Sequence, residues 1–235
     1  MKDSEWRQLN AQITACRFCP RLVKYREEVG RIKKPCYQRQ EYWSKPLTGM
    51  GDRNGRLLVL GLAPAAHGGN RTGRIFTGGS SASFLLRALF EAGFANQPNS
   101  DSYDDGLQLR DVYLTNMVRC APPANKPTPL ETASCGKYLI RELNLLPSLR
   151  VVVPLGAFAM SGYLRVLRET GMITRSSLFP FQHGAGYRTH PGGPVLVPSY
   201  HPSQQNTFTK ILTPEMMSAL FQRARLFMEA TVSTA

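Results

Sequence analysis

Cys16 and Cys19 stand in a Cys-x-x-Cys, and Cys120 and Cys135 follow far downstream. Four thiolates drawn from two distant segments suit either a Cys₄ iron–sulfur cluster or a structural zinc. A redox pair is expected beside a β-α-β pattern, and this Cys-x-x-Cys precedes the first credible strand. The fifth cysteine, Cys36, lies in a polar stretch and reads as a spare thiol; an odd count in so long a chain argues against a disulfide framework. A second set of residues has chemistry of another kind. His201 sits in His-Pro-Ser, Phe76 in Ile-Phe-Thr-Gly, Asn116 ends an apolar run, and Asn125 precedes Lys-Pro. An imidazole can stabilise a developing anion, an aromatic ring can stack on a flat ligand, and an amide offers donor and acceptor together.

The elements that must position these residues alternate along the chain. Trp6, Leu9, Ile13, Leu22, Val23 and Val29 recur at helical steps around the Cys16–Cys19 turn, so 3–29 is predicted helical. Residues 30–55 are basic and turn-rich, an irregular surface segment. Apolar runs at 57–61, 112–115, 151–155 and 195–197 read as buried strands. Helices are predicted from Ser80 to Gly93 and over 130–146, 157–170 and 214–230. Strands of this kind alternating with helices imply a parallel sheet covered on both faces. Ligands of such sheets bind at the carboxyl ends of the strands, which places the site in the loops 61–79, 116–129 and 199–213.

Composition narrows the partner. The 235 residues contain 29 Lys and Arg against 16 Asp and Glu, a formal charge of +13. Such a surface attracts polyanions, because each cation that neutralises a phosphate releases a condensed counterion. No apolar run approaches the roughly 20 residues of a membrane span, and the first residues lack a signal-peptide pattern. A soluble, cytoplasmic, monomeric protein is the expectation, with no membrane partner.

Several segments together resemble one known family. Gly61-Leu-Ala-Pro-Ala-Ala-His-Gly-Gly-Asn-Arg-Thr-Gly-Arg-Ile-Phe-Thr-Gly78 is similar to the first motif of the B-type (family 5) uracil-DNA glycosylases, the iron–sulfur branch of their superfamily. His201-Pro-Ser-Gln-Gln-Asn-Thr207 resembles the last motif, and Val118 to Pro129 resembles the cluster-binding and active-site segment. Cys16 to Arg21, and Tyr42-Trp43 to Gly51-Asp52, also fit. The resemblance implies an α/β/α three-layer sandwich around a central four-stranded parallel sheet, forming a single domain over 1–235. It implies a [4Fe–4S] cluster on Cys16, Cys19, Cys120 and Cys135, two of them carried by an N-terminal extension, 1–55. It implies hydrolysis of the N-glycosidic bond of uracil, and of other deaminated bases such as hypoxanthine or xanthine, in DNA. The competing readings are a catalytically weak damaged-DNA binder of the same fold and a zinc-stabilised nucleic-acid-binding protein.

Carried onto this chain, the resemblance makes Phe76 the wall on which the flipped base stacks, and His201 the donor to the leaving anion. Asn116 stands at a base-reading position of related branches, and Asn125 matches a B-type active-site residue. The small residues Gly61, Ala65 and Ala66, with His67, let backbone N–H groups approach the base. Arg71, Arg74, Ser203 and Lys210 are the expected phosphate contacts, and Phe208 or Ile211 the wedge that enters the duplex. Two positions depart from the pattern. Ala63 stands where other branches place an Asp or Asn to hold the attacking water, and Gly79 stands where B-type enzymes offer an Asp. Asp101, Asp104 and Asp105 lie in a nearby loop, with no motif tying them to the chemistry. Weaker activity on purines, with uracil activity retained, is the expected result.

Overall fold

A computed structural model describes residues 2–230. Helix α1 (Lys2–Thr14) presents Trp6, Leu9 and Ile13 on one face, the stripe its sequence spacing predicts. Pro20 opens α2 (Pro20–Ile32), where its missing N–H costs nothing. The helical reading of 3–29 around the Cys16–Cys19 turn resolves into this pair of helices, with the turn between them. Strand β1 (Met50–Gly51) is followed by β2 (Leu57–Gly61), the short α3 (Gly69–Thr72) and α4 (Ser80–Glu91). Next come β3 (Val112–Asn116), α5 (Pro129–Leu145), β4 (Val151–Pro154) and α6 (Ala157–Glu169). The last elements among the described residues are β5 (Tyr187–Arg188), β6 (Val195–Leu196), α7 (Gln204–Phe208) and α8 (Pro214–Ala230). Helix α5 starts where Thr128 and Glu131 form a reciprocal capping box with Pro129 at its first position.

The sheet corrects the sequence expectation of four parallel strands. It is mixed and six-stranded, in the order β1-β3-β2-β4-β6-β5. The four foreseen strands are mutually parallel, but β1 pairs antiparallel with β3, and β5 antiparallel with β6. Both additions are two residues long, too short to show alternation or an apolar run, and so carry no periodic signal.

Every residue of β2, β3 and β4 is buried, as strands covered on both faces must be. Leu57, Val59, Leu114 and Val153 face α4 and α8. Leu58, Leu60, Tyr113 and Val152 face α1, α5 and α6. From β2 the chain moves to β3 on one side, then crosses back to β4 on the other. The crevice at the carboxyl end of β2 is therefore a topological switch point. Among the described residues no helix is long and apolar enough to cross a membrane.

One ion pair lies inside the second layer. Arg119 and Glu142 have 1% and 0% exposed side chains and meet at 2.6 Å. Glu142 also accepts from Thr115 Oγ1 at 2.8 Å and Tyr113 Oη at 3.3 Å, and the guanidinium donates to Thr115 as well. Removing one member leaves the other charge buried without a counter-charge, at a cost of about 3–5 kcal/mol. Urea unfolding of Glu142→Leu is expected to show that loss, and Arg119→Met in the same chain to recover most of it. A loss below about 1 kcal/mol would mean that water reaches the pair.

Candidate active site

The cleft forms where β2 and β3 end side by side, Gly61 in register with Asn116. A side chain at 61 has no room: a Cβ there would strike Asn116 Oδ1 and come within 2.7 Å of the Phe76 ring. Only glycine lets these two groups close over the strand end, so the ring and the amide meet at one point. Both line a cleft of about 600 Å³ that also receives Ala63, Pro64, Ala65, Asn125, His201 and Ser203. Asn116 is buried, and no protein group hydrogen-bonds its side-chain amide among the described residues. Phe76 has φ of +48°, and on the facing loop Ala124 and Asn125 have φ of +52° and +55°. Non-glycine residues pay for that left-handed geometry, and here it turns side chains toward the cleft from two walls.

The loop carrying Phe76 is cross-braced from behind. Arg74 donates to Thr77 Oγ1 at 2.9 Å, to Ser100 Oγ at 2.8 Å and to Asp105 at 2.6 Å. Arg71 is buried, donating to the His67 carbonyl and Gln40 and resting over the Tyr37 ring at 4.1 Å. Both guanidiniums thus have partners within the protein, and the expected phosphate contacts at Arg71 and Arg74 hold the loop's shape. His67 turns away from the cleft, its Nδ1 bonded to Tyr42 Oη at 3.0 Å. Burial, then the nearby Lys34 and Arg71 charges, lower its pKa. Ala66 likewise stays out of the lining. Phe208, the last residue of α7, and Lys210 and Ile211 just beyond it lie exposed.

His201 arrives from the opposite side. The bridge between Leu155 and Ser199 extends the sheet past β6, and Gly156 N–H donates to Ser199 C=O at 2.7 Å. Gly156, at φ +91°, has no Cβ to crowd His201, whose own Cβ would lie 3.1 Å from it. The His201 carbonyl accepts from Asn206 Nδ2 at 2.8 Å. Its ring has no hydrogen-bond partner among the described residues, and burial lowers its pKa, which keeps the imidazole neutral near pH 7. Just before it, Tyr200 N–H donates to His183 Nδ1 at 3.1 Å, and the two rings stack at 5.0 Å.

No carboxylate lines the cleft. Its fixed charge is positive: Lys126, and the amino ends of α4 and α6, which have neither a side-chain cap nor an acid in the first turn. Each such end carries about half a positive charge. The contributions of Gly156, Phe158, Ser80 and Ser81 were not foreseen from sequence. An exposed Phe on the first turn of an amphipathic helix carries no signal of its own.

The thiols correct a second expectation. Among the described residues no three of His, Cys, Asp and Glu come together in a group able to hold a metal ion. Cys16, Cys19, Cys120 and Cys135 therefore do not present the ligand set of a [4Fe–4S] cluster or a zinc. Protein groups take their places: Arg26 donates to Cys120 Sγ at 2.9 Å, and Arg119 N–H to Cys135 Sγ at 3.4 Å. Burial raises the pKa of Cys120 to about 11 and of Cys135 to about 12. Arginines tie the N-terminal segment to the rest of the chain. Arg26 also reaches the Cys16 carbonyl, and Arg21 binds Glu131 through two oxygens at 2.8 and 2.6 Å.

Residues 48–225 match a family described as the uracil DNA glycosylase superfamily. The chain is 50% identical over 214 residues to a type-5 uracil-DNA glycosylase of Thermus thermophilus, covering 91% of this chain and 94% of that one. It is 43% identical to a type-5 uracil-DNA glycosylase of Pyrobaculum aerophilum, covering 91% and 89%. A type-4 uracil-DNA glycosylase of Thermotoga maritima is 29% identical, covering 67% and 69%.

The Arg74–Asp105 brace gives a test by pH. Burial pushes the Asp105 carboxyl up, but the Arg74 guanidinium and the N–H groups of Asp101 and Leu107 outweigh it and bring its pKa to about 2. A depressed carboxylate contributes stability above its unfolded pKa of about 4, and that stability is lost as pH falls through about 2. The unfolding free energy of the native chain over Asp105→Asn should therefore shrink by about 2 kcal/mol between pH 5 and pH 2. A difference constant over that range would show that the carboxylate charge does not hold the loop.

Proposed function

The chain belongs to the uracil DNA glycosylase superfamily, and from that premise we propose how its cleft excises a base. It is a hydrolase of N-glycosyl bonds that acts on uracil in DNA. A base inside a duplex is out of reach, so the nucleotide must leave the stack and enter a pocket. In this reading the ring of Phe76 forms the flat wall against which uracil lies. The Asn116 amide, without a hydrogen-bond partner among the described residues, offers its donor and acceptor to the polar edge of the base. As the bond from the sugar C1′ to the base N1 breaks, its electron pair passes onto the base. His201 donates from its neutral imidazole to the oxygen where that charge collects. Water adds to C1′, its proton passes to solvent, and an abasic site remains.

The observation that carries this reading is the meeting of Phe76 and Asn116 over Gly61, with the His201 ring lining the same cleft. The electrostatics fit a departing anion. Lys126 and the two uncapped helix ends favour negative charge on the base, and no carboxylate opposes it. With Ala63 and Gly79 at the usual acidic positions, the sugar cation has only the DNA's own phosphates and the cleft's dipoles to stabilise it. Asn125 is then the side chain placed to hold the water.

Single-turnover excision of uracil by His201→Ala should fall about 10²- to 10³-fold, the usual cost of one donor to a developing anion. A rate within threefold of the native one removes His201 from the chemistry; a native chain that binds but excises nothing makes the protein a damage binder. Gly79 tests base range. Its backbone is extended at φ −174°, and a Cβ there meets nothing within 4 Å, so an aspartate fits without strain. The native chain should excise hypoxanthine far more slowly than uracil, and Gly79→Asp should narrow that gap. Equal native rates on the two bases would end the argument from the missing carboxylate.

A further inference from the structure

A second groove, of about 350 Å³, runs down the outer side of α6, away from the cleft. Arg165 and Arg168 on the helix face Ser176 and Ser177 of the turn that follows it, and Phe179 and Phe181 close the floor. No acid lines this groove, and Glu169, the sole acid of α6, stands outside its lining. The Arg168 side chain has no hydrogen-bond or ion-pair partner among the described residues. Arg165 makes one side-chain hydrogen bond among the described residues, to the Pro129 carbonyl at 3.3 Å. An unpaired cation, a half-engaged one and hydroxyl donors over an aromatic floor make a surface complementary to a phosphodiester chain.

The groove is joined to the cleft at two points. Phe158, on the first turn of α6, is 75% exposed and lines the cleft, while its neighbour Ala157 lines the groove. On the floor, Phe181 packs against Tyr200 with ring centroids 5.8 Å apart, and His201 is the next residue. A strand whose nucleotide occupies the cleft can therefore continue over Phe158 and along α6. Phe158 and Arg168 lie ten residues apart on α6, about 15 Å at about 1.5 Å per residue. A strand rises about 3.4 Å per nucleotide, so the groove is filled by phosphates about four nucleotides from the extruded base.

We propose that the α6 groove of Arg165, Arg168, Ser176 and Ser177 binds the phosphate backbone of the damaged strand on one side of the excised base. This rests on the glycosylase reading, since it is that reading which puts DNA in the cleft. The damaged strand leaves the pocket in two directions, 5′ and 3′, and only one of these arms can follow α6, so the contact is one-sided.

The test uses the whole chain and duplexes in which the uracil-bearing strand is shortened from either end. For the native protein, affinity should fall when fewer than about four nucleotides remain on one side of the uracil, and less when the other side is trimmed. Arg165→Ala with Arg168→Ala should abolish that asymmetry. It should also flatten the plot of log affinity against log salt by about 1.5–2, the contribution of two phosphates. Single-turnover excision at saturating DNA should stay native. Arg165→Lys with Arg168→Lys should keep most of the salt slope. If the double alanine variant does not fold, Arg168→Glu, at an exposed position, is expected to weaken binding and blunt the asymmetry alone. An unchanged slope and length profile in these variants overturns the proposal. The same salt titration on undamaged duplex separates the two failures: a native chain that excises nothing overturns the reaction, while the slope still decides the groove.

Discussion

A guanidinium with 1% of its side chain exposed must find its counter-charge inside the protein, and Arg119 finds it in Glu142 on α5. That requirement organises the middle of the chain. Thr115 and Tyr113 of β3 are drawn to the same carboxylate, so the strand, the loop leaving it and the helix that follows are held as one unit. Asn116 stands one residue beyond Thr115, in register with Gly61, and its amide inherits the position of that unit. On the far side of the loop the Arg119 carbonyl receives Leu47 N–H at 2.8 Å, and Cys120 receives Arg26. The segment before β1 and the N-terminal helices are therefore seated against the same anchored loop. A buried pair of this kind adds little net stability compared with an apolar pair of the same shape, but neither member can be relinquished alone.

How much of this could be read from sequence depends on how local each signal is. The four central strands show as continuous apolar runs, because a strand covered on both faces leaves no polar positions. The edge strands at Met50–Gly51 and Tyr187–Arg188 have two residues each, and their pairing is dictated by neighbours distant in sequence. The site loops followed from strand polarity, and Phe76, Asn116, Asn125 and His201 do line one cleft. His67 and Ala66, adjacent in the same motif, do not line it; the His67 ring is bonded to Tyr42 instead. The pairing of Glu142 with Arg119 left no trace, since a charged residue on an amphipathic helix ordinarily faces water. Nor did the cysteine spacing reveal that arginines would sit against the thiols, for spacing limits which groups can meet without saying what stands between them.

The cleft divides its labour by type of force. Shape is set by glycines: Gly61 under Phe76 and Asn116, Gly156 beside His201. Position is set by charge held out of water, with Arg74 fastened to Asp105 behind one wall and Arg119 to Glu142 behind another. The cleft itself is left with dipoles, the Lys126 ammonium and a neutral imidazole. Carboxylates thus do their work at one remove, fixing the frame around a space from which negative side chains are absent.

The brevity of the two sheet edges has a consequence for the protein in a crowded cell. An unpaired strand edge is a template on which a second chain can add, and long flat edges are where sheets fuse into aggregates. Here both margins end after two residues, one of them on Gly51 at φ +113°, and a foreign strand finds hardly a rung to grasp. The most apolar strands, β2, β3 and β4, lie one or more places inward, out of reach while the fold is intact. The strands omitted by the periodic pattern are thus the ones that keep the sheet from growing.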